Sequence, residues 1–300
     1  MGMKLRKNSA ITKIHKIAIL YYCGVGNTKM VAEAMYDYLK NDNNVDMYSI
    51  EELPADFNFV KYSKLIMGFP TIHAEPSSPM KRFIEQLDVN KNKLPTFIYT
   101  TCGWYSGNAI RIFCKLAIIK NIIPVYTSSY QCAAVDGILL TPNIKRWHRH
   151  EKELFPRIKN DLEQFVAINE ICSKIPRLKW YSALNYPNKL LGKHMKFKIY
   201  LRENKCTKCD LCVKKCPVGA CIKGDNNLPF IDIKKCINCY RCIHHCPKRA
   251  LSLSKRKLPR KLLVDLAESK FNDAYCQNKC YTLQNEGISK VKKKLLWDKC

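Results

Sequence analysis

Short apolar runs alternate with longer amphipathic stretches over residues 14–166 of this 300-residue chain. The apolar run at 16–22 predicts a buried strand, and apolar positions spaced three or four apart at 27–40 predict a helix. The pattern then repeats, with strands predicted at 45–50, 64–68, 95–101 and 122–128 and helices at 79–87, 108–120 and 143–166. This alternation predicts an α/β fold, a doubly wound parallel sheet with helices on both faces.

Cysteines are concentrated at the other end of the chain, where residues 200–300 hold twelve of the 17. Eight of them form two runs of the pattern C-x2-C-x2-C-x3-C-P, and each cysteine of the second run lies 30 residues after its counterpart. No apolar run reaches the roughly 18 residues of a membrane span, and no signal peptide precedes the first strand. We therefore expect a reduced, cytoplasmic chain in which this many cysteines indicate metal binding rather than disulfides.

The spacing within each run is that of a loop around a 4Fe–4S cluster, because three thiolates hold one cubane and the fourth reaches the other cluster. The predicted ligands are Cys206, Cys209, Cys212 and Cys246 for cluster I, and Cys236, Cys239, Cys242 and Cys216 for cluster II. A structural zinc site and a disulfide knot are the alternatives, but zinc sites seldom use a cysteine triplet with a displaced fourth ligand. Residues 198–254 resemble the bacterial two-cluster ferredoxins, which implies a small α+β domain with two 4Fe–4S clusters.

A second candidate site follows the first predicted strand. The segment Cys23, Gly24, Val25, Gly26, Asn27 and Thr28 leads directly into the first predicted helix. Small residues and the amides of a helix N-terminus form an anion site, although an ordinary strand–helix turn would have the same composition. The third glycine of a dinucleotide loop is missing, because Lys29 takes its place. The segment resembles the phosphate loop of flavodoxins, which holds the phosphate of FMN, but Cys23 and Val25 replace hydroxyl side chains usual in that family.

Two further segments lie at strand ends, where flavodoxins hold the isoalloxazine ring. They are residues 68–73 and 100–108. The flavin-binding candidates that they supply are Pro70, Thr71, Thr101, Cys102, Gly103, Trp104, Tyr105, Ser106 and Gly107. We expect one of the two aromatic residues to stack on the ring, with anchoring of the loop on the sheet as the alternative. The resemblance implies a flavodoxin-like sheet of order 2-1-3-4-5 and one bound FMN.

Together the two segments resemble the flavodoxin–ferredoxin fusions of anaerobic bacteria. We divide the chain into an FMN domain (14–166), a docking linker (167–197), a two-cluster ferredoxin domain (198–254) and a basic, helical extension (255–300). The resemblance implies an electron-transfer iron–sulfur flavoprotein that moves electrons between FMN, two 4Fe–4S clusters and an external redox partner. One alternative is a flavin-dependent reductase of a small molecule that receives electrons through the clusters. Another is a non-redox protein with structural clusters.

The charge of the chain is as uneven as its cysteine content. Of the net +27, residues 1–166 contribute +7 (22 basic, 15 acidic) and residues 167–300 contribute +20 (30 basic, 10 acidic). A basic face indicates an acidic redox partner or peripheral contact with an anionic surface, while a solvated lysine-rich surface is the alternative. No zinc finger, helix-turn-helix or RNA-binding signature accompanies the charge, so no nucleic acid partner is expected.

Overall fold

A parallel sheet forms the larger part of the structure, a computed structural model that describes residues 14–89, 91–140, 144–180, 182 and 198–253. Its strands are β1 (Lys16–Tyr21), β2 (Asn44–Ser49), β3 (Lys64–Ile72), β5 (Leu94–Cys102) and β6 (Ile122–Gln131), and a short β4 (Glu75–Pro76) pairs antiparallel with the end of β3. The parallel strands are paired in the order β2-β1-β3-β5-β6. The predicted order is therefore confirmed, since β4 only extends β3.

Helices cover both faces of this sheet, as the alternation predicts. They are α1 (Asn27–Leu39), α2 (Ser78–Gln86), α3 (Ala109–Ile119), α4 (Val135–Leu140) and α5 (Leu154–Ala167). The apolar sides of α1 and α5 pack on one face of the sheet, and those of α2 and α3 pack on the other. Within the described ranges, none of the helices combines the length and apolar character that crossing a membrane requires.

The helix predicted at 143–166 is wrong in its first half, since α5 begins at Leu154. Pro156 has no amide and its ring clashes with the preceding turn of a helix, so it is tolerated only in the first turn. The sequence before it instead forms a short 3₁₀ helix, Lys145–His148, whose Trp147 packs on Gly137 of α4. A Cβ atom at Gly137 would lie 2.7 Å from the Trp147 ring, so this contact requires glycine.

The C-terminal end of α5 is held by a lysine on the sheet. The Nζ atom of Lys64 donates hydrogen bonds to the carbonyls of Phe165, Val166 and Ile168, at 2.9, 2.9 and 2.6 Å. The last carbonyls of a helix have few amide partners; the Ile168 amide donates to the Phe165 carbonyl at 3.2 Å, and the buried ammonium group adds a donor to all three carbonyls and complements the helix dipole. Lys64 therefore has a structural role at the amino end of β3, where it holds the C-terminal end of α5 in the sheet domain (16–167).

Residues 198–253 form a second, smaller unit, the cysteine-rich domain. It contains β7 (Tyr200–Leu201) paired antiparallel with β10 (Leu251–Ser252), β8 (Cys221–Lys223) paired antiparallel with β9 (Pro229–Ile231), and the short helices α6 (Leu211–Lys214) and α7 (Arg241–His244). The 30-residue repeat extends to the backbone, because α6 and α7 start at equivalent positions and each follows a residue with positive φ, Asp210 (55°) and Tyr240 (56°). The duplicated sequence thus folds twice into the same turn.

The two domains are in contact through α4 and α7. Leu139 of α4 belongs to one apolar cluster with Tyr240, Ile243 and Leu251 of the cysteine-rich domain. The described part of the predicted docking linker, residues 167–180 and 182, instead runs along the sheet domain. There Arg111 donates to the Pro176 carbonyl at 2.8 Å. Residues 255–300, with the predicted helical extension, lie outside the described residues.

Candidate flavin and iron–sulfur sites

A cavity of about 130 Å³ lies at the carboxyl edge of the sheet, where ligands of doubly wound folds bind. The predicted flavin-binding residues that line it are Cys23, Gly24, Val25, Asn27, Thr28, Pro70, Thr71, Thr101, Cys102 and Gly103. The same cavity is also lined by residues that are not among the predicted flavin-binding residues, namely Ile72, His73, Ala133, Val135, Asp136, Asn238, Cys239 and Tyr240. Three of these, at 238–240, come from the cysteine-rich domain, so the two domains share this cavity.

The segment 23–28 forms an open helix N-terminus at the cavity. Gly26 precedes α1 with a φ of 121° and has no side chain to cap the helix. The Gly26 amide donates to the Cys23 sulfur at 3.1 Å, so cysteine takes up one amide of the loop. An uncapped first turn with the positive end of a helix dipole is suited to an anion.

The buried Asn27 supplies a second indication of a ligand. Its Nδ2 atom donates to the Ala133 carbonyl at 2.8 Å, which fixes the orientation of the amide. The Oδ1 atom is then buried and has no hydrogen-bond partner among the residues that the structure describes, whereas buried acceptors are normally satisfied. Asn27 is 8% exposed and lines the cavity. A bound molecule with hydroxyl or amide donors would satisfy this oxygen.

Paired hydroxyl groups surround the rest of the cavity. Thr28 and Thr101 share a hydrogen bond of 2.8 Å between their Oγ1 atoms, as do Thr71 and Thr100. β3 continues to Ile72, so Pro70 and Thr71 lie on a strand and not in the loop that the sequence predicted. These side chains are fixed by the sheet, and their oxygen atoms retain acceptor capacity toward a ligand.

Val25, one of the two departures from the flavodoxin pattern, has a structural role of its own. Val25 is buried in a cluster with Ala133 and Ile138, and this cluster packs against Trp147. It thereby anchors α4, which contacts the cysteine-rich domain. A hydroxyl side chain at residue 25 would lose this apolar contact.

Five predicted flavin-binding residues do not line the cavity: Gly26, Trp104, Tyr105, Ser106 and Gly107. Trp104 is 65% exposed and lies between the Arg146 guanidinium, 4.9 Å from its ring, and the Trp147 ring at 5.8 Å. The Tyr105 hydroxyl hydrogen-bonds the Ser182 hydroxyl at 2.5 Å. These contacts correspond to the anchoring alternative, in which the aromatic side chains hold neighbouring segments on the sheet domain.

A second cavity, of about 280 Å³, lies at the amino edge of the sheet. It is lined by His15, Tyr62, Lys64 and Leu94 among others. Although it is larger, it is at the edge where parallel sheets do not bind ligands. It is also at the opposite end of the strands from the loop at 23–28. We therefore take the smaller cavity as the candidate flavin site, and it is called the flavin cavity below.

The eight clustered cysteines surround two separate cavities, each about 20 Å³. One is lined by Cys206, Cys209, Cys212 and Cys246, and the other by Cys216, Cys236, Cys239 and Cys242 together with Cys221, which belongs to neither run. In each set three cysteines come from one run and the fourth comes from the other run, which is the arrangement that the spacing predicts. Over the described part of the chain, no group of three or more His, Cys, Asp or Glu side chains is arranged to hold a single metal ion.

Backbone amides point at the sulfurs of these cysteines. The Ala220 amide donates to the Cys216 sulfur and the Ala250 amide to the Cys246 sulfur, each at 3.2 Å. The repeat of alanine after each run therefore places the same donor on each fourth cysteine. Hydrogen bonds to cluster sulfurs are one of the means by which a protein sets a cluster's reduction potential.

Cys221 is a residue whose role the sequence did not reveal. It is buried, and its hydrogen bond with the Cys212 sulfur lowers the pKa of Cys212 and raises that of Cys221. The equivalent position in the second repeat is Leu251, so the extra donor is confined to the first run. Burial raises the pKa of the half-buried Cys239 to about 11.

Comparison with known proteins matches both domains. The fold and the gathered cysteines define an electron-transfer flavin and iron–sulfur protein: residues 18–120 match the model of the flavodoxin domain family, and residues 205–251 match that of the 4Fe-4S dicluster domain family. The chain therefore joins a region that matches the flavodoxin domain family to a region that matches the 4Fe-4S dicluster domain family. Below, the sheet domain is called the flavodoxin domain and the cysteine-rich domain the dicluster domain.

Individual relatives match the flavodoxin part. A flavodoxin of Synechocystis sp. is 38% identical over 74 residues, which are 24% of this chain and 43% of that protein, so the match spans less than half of the relative. An archaeal flavodoxin structure is 18% identical with a TM-score of 0.36 and covers 50% of this chain and 98% of its own. A Streptococcus flavodoxin structure is 17% identical with a TM-score of 0.39 and covers 51% of this chain and 98% of its own.

Proposed function

We propose that this protein carries electrons between one FMN and an external redox partner through two 4Fe–4S clusters. The observation on which the proposal depends is that Cys239, a predicted ligand of cluster II, lines the flavin cavity. Gly24 of the phosphate loop packs directly on it, since a Cβ atom at Gly24 would lie 3.6 Å from the Cys239 carbonyl oxygen. Such contact suits direct electron exchange between flavin and cluster.

The residues of the cavity fit FMN by their chemistry. The uncapped first turn of α1 would hold the phosphate, and the unsatisfied Oδ1 atom of Asn27 would accept from a ribityl hydroxyl. FMN supplies two-electron and one-electron chemistry when bound, and the protein supplies its position and surroundings. Pockets for ligands of this size have volumes of about 300–1,000 Å³, so the lining must open to admit the whole cofactor.

The burial of the cysteines supports an order for the cofactors. Cluster II would lie at the domain contact, beside the flavin. Cys209 of cluster I is exposed, whereas Cys239 of cluster II lines the cavity that the two domains share. Electrons would therefore pass between FMN, cluster II, cluster I and then the partner. The clusters connect the flavin site to the protein surface.

Cofactor content is the first test of this proposal. Protein purified without oxygen is expected to contain about eight iron atoms and one FMN per chain, with two cluster signals in redox-titrated electron paramagnetic resonance. Iron, sulfide and flavin quantitation checks the stoichiometry. About four iron atoms per chain would contradict the assignment of two clusters, and failure of the protein to bind added FMN would contradict the flavin site.

The surface around cluster I supports an acidic protein as the partner. Lys208 and Lys248 line the cluster I cavity and are exposed, and Lys205 beside them is exposed as well. Positive charge at this surface would steer a negatively charged partner into contact with the exposed cluster. The remaining positive charge of the chain is not needed for this interaction.

Replacing both Lys208 and Lys248 with Gln is expected to slow electron transfer from a reduced, acidic two-cluster ferredoxin about tenfold at low salt, because steering raises association rates by ~10–10³. Stopped-flow measurement over a range of salt concentrations checks this, and the difference should shrink as salt increases. The control is the same replacement, by Gln, of Lys91 and Lys93, which are two exposed lysines at the amino edge of the sheet. An equal loss in the control would show that only net charge matters.

A further inference from the structure

Arg241 of the dicluster domain is the most extensively bonded side chain at the domain contact. It is 9% exposed and forms a two-pronged ion pair with Glu51, with Nη1–Oε1 at 2.8 Å and Nη2–Oε2 at 2.6 Å. Its Nε atom donates to the Gly24 carbonyl at 3.1 Å, and Nη2 also donates to the Cys23 carbonyl. One side chain thus contacts both the phosphate loop (residues 23–28) and Glu51, which follows β2. Arg241 and Glu51 are 190 residues apart in the sequence.

The hydrogen bonds of Arg241 fix the peptide planes of the phosphate loop. In a trans peptide the carbonyl of one residue and the amide of the next point in opposite directions. Because the carbonyls of Cys23 and Gly24 point at the guanidinium, the amides of Gly24 and Val25 point away from it, and both residues line the flavin cavity.

This chain has Cys23 and Val25 where flavodoxins usually have hydroxyl side chains, so its loop depends more on the backbone for anion binding. The backbone amides of the loop can bind an anion only if their orientation is fixed. Glu51 orients the guanidinium and offsets its charge. No residue of the flavodoxin domain that the structure describes is bonded to both carbonyls in this way.

We infer that Arg241 is a positioning residue for the FMN phosphate site, so that the docked dicluster domain completes the flavin site of the flavodoxin domain. This inference rests on the proposed function, since it concerns the same cavity. It makes FMN affinity depend on domain docking. It also means that a flavin is held most tightly when the cluster that exchanges electrons with it is in place.

Riboflavin provides the discriminating measurement, because it has the same ring and ribityl chain as FMN but no phosphate. We expect Arg241→Gln to raise the FMN dissociation constant of the flavin-depleted full-length protein about tenfold, and to leave that for riboflavin unchanged. Titration of flavin fluorescence checks both. Arg241→Lys retains the charge but replaces three donor nitrogens with one, so it cannot keep the two-pronged pair with Glu51 together with both carbonyl bonds and should show most of the same loss.

The controls separate this inference from simpler explanations. Lys223→Gln removes one positive charge from the dicluster domain at a residue that pairs with Asp210 and not with the flavodoxin domain, and should leave both affinities unchanged. Iron content and cluster spectra verify that each variant is folded. If Arg241→Gln does not fold, Glu51→Gln tests the same contact from the other domain. It should weaken the binding of FMN and leave the binding of riboflavin unchanged.

Each outcome has a distinct meaning. If the unaltered protein does not bind FMN, the proposed function fails. If it binds FMN and Arg241→Gln binds equally well, the inference fails while the proposed function stands. An equal loss of FMN and riboflavin affinity would mean that Arg241 is merely structural. Full affinity in Arg241→Lys would mean that charge, and not orientation of the loop, is what matters.

Discussion

Cys239→Ala is expected to separate the flavin from its source of electrons while leaving the rest of the protein able to accept them. Removing one thiolate of cluster II should lower the iron content from about eight atoms per chain toward about four. When a reduced, acidic two-cluster ferredoxin is mixed with this variant, cluster I should be reduced at the normal rate while the flavin lags behind. The reason is that Cys239 lies between the flavin cavity and the rest of the dicluster domain.

Cys209→Ala is the matched variant for this experiment, since it removes one ligand from the exposed cluster instead. Its iron content should fall by the same amount. In this case, however, cluster II and the flavin should lag together, because the entry point for the partner is lost. Rapid-freeze electron paramagnetic resonance and flavin absorbance distinguish the two patterns. Normal flavin reduction in Cys239→Ala would contradict the proposed order, and the reverse pattern would place the partner at the other cluster.

Removal of the clusters by an iron chelator and an oxidant is expected to unfold the dicluster domain and leave the flavodoxin domain folded. The dicluster domain has strands of only two or three residues and few buried apolar side chains, such as Ile243 and Leu251. A segment of about 55 residues seldom folds without a metal or disulfide staple, and ligand binding supplies folding free energy directly. The flavodoxin domain has two apolar clusters, one on each face of its sheet.

Hydrogen exchange followed by mass spectrometry measures this difference. Protection of peptides within 198–253 should be lost almost completely after cluster removal, while peptides of β1, β3 and β5 remain protected. Flavin binding to the same sample should weaken, because Arg241 would no longer be held against the phosphate loop. Retained protection in 198–253 would contradict the requirement for clusters. Loss of protection throughout would show that the two domains fold as one unit.

Much of the fold follows from local patterns in the sequence. The alternation of apolar runs and amphipathic stretches predicted the parallel sheet with its helices, and the strand order that the resemblance to flavodoxins implies is confirmed. The error at 143–166 arose because helical periodicity was followed through a region where Pro156 requires a new helix. Helix α4, which lies between the domains, was missed because its six residues give too short a pattern to recognise.

Some features of the candidate sites could likewise be predicted from residues close together in the sequence, and others could not. Cysteine spacing predicted which residues would gather around each cluster cavity, and the phosphate loop was visible as a short run of small residues. The assignment of these residues as cofactor ligands stays a prediction. The sequence favours stacking on the ring for Trp104 or Tyr105, but an aromatic side chain between glycines has the same appearance whether it stacks on a ligand or anchors a loop.

The sequence by itself determined two kinds of property: the sheet, through the periodicity of apolar residues, and the two cysteine sets, through spacings of two and three residues. Both depend on residues close together in the chain, where backbone geometry permits few arrangements. Tertiary structure alone decided that Cys239 lies in the flavin cavity and that Arg241 bonds the phosphate loop. These contacts join residues more than 200 positions apart, and nothing in local periodicity or spacing records which surfaces of two folded domains will pack together.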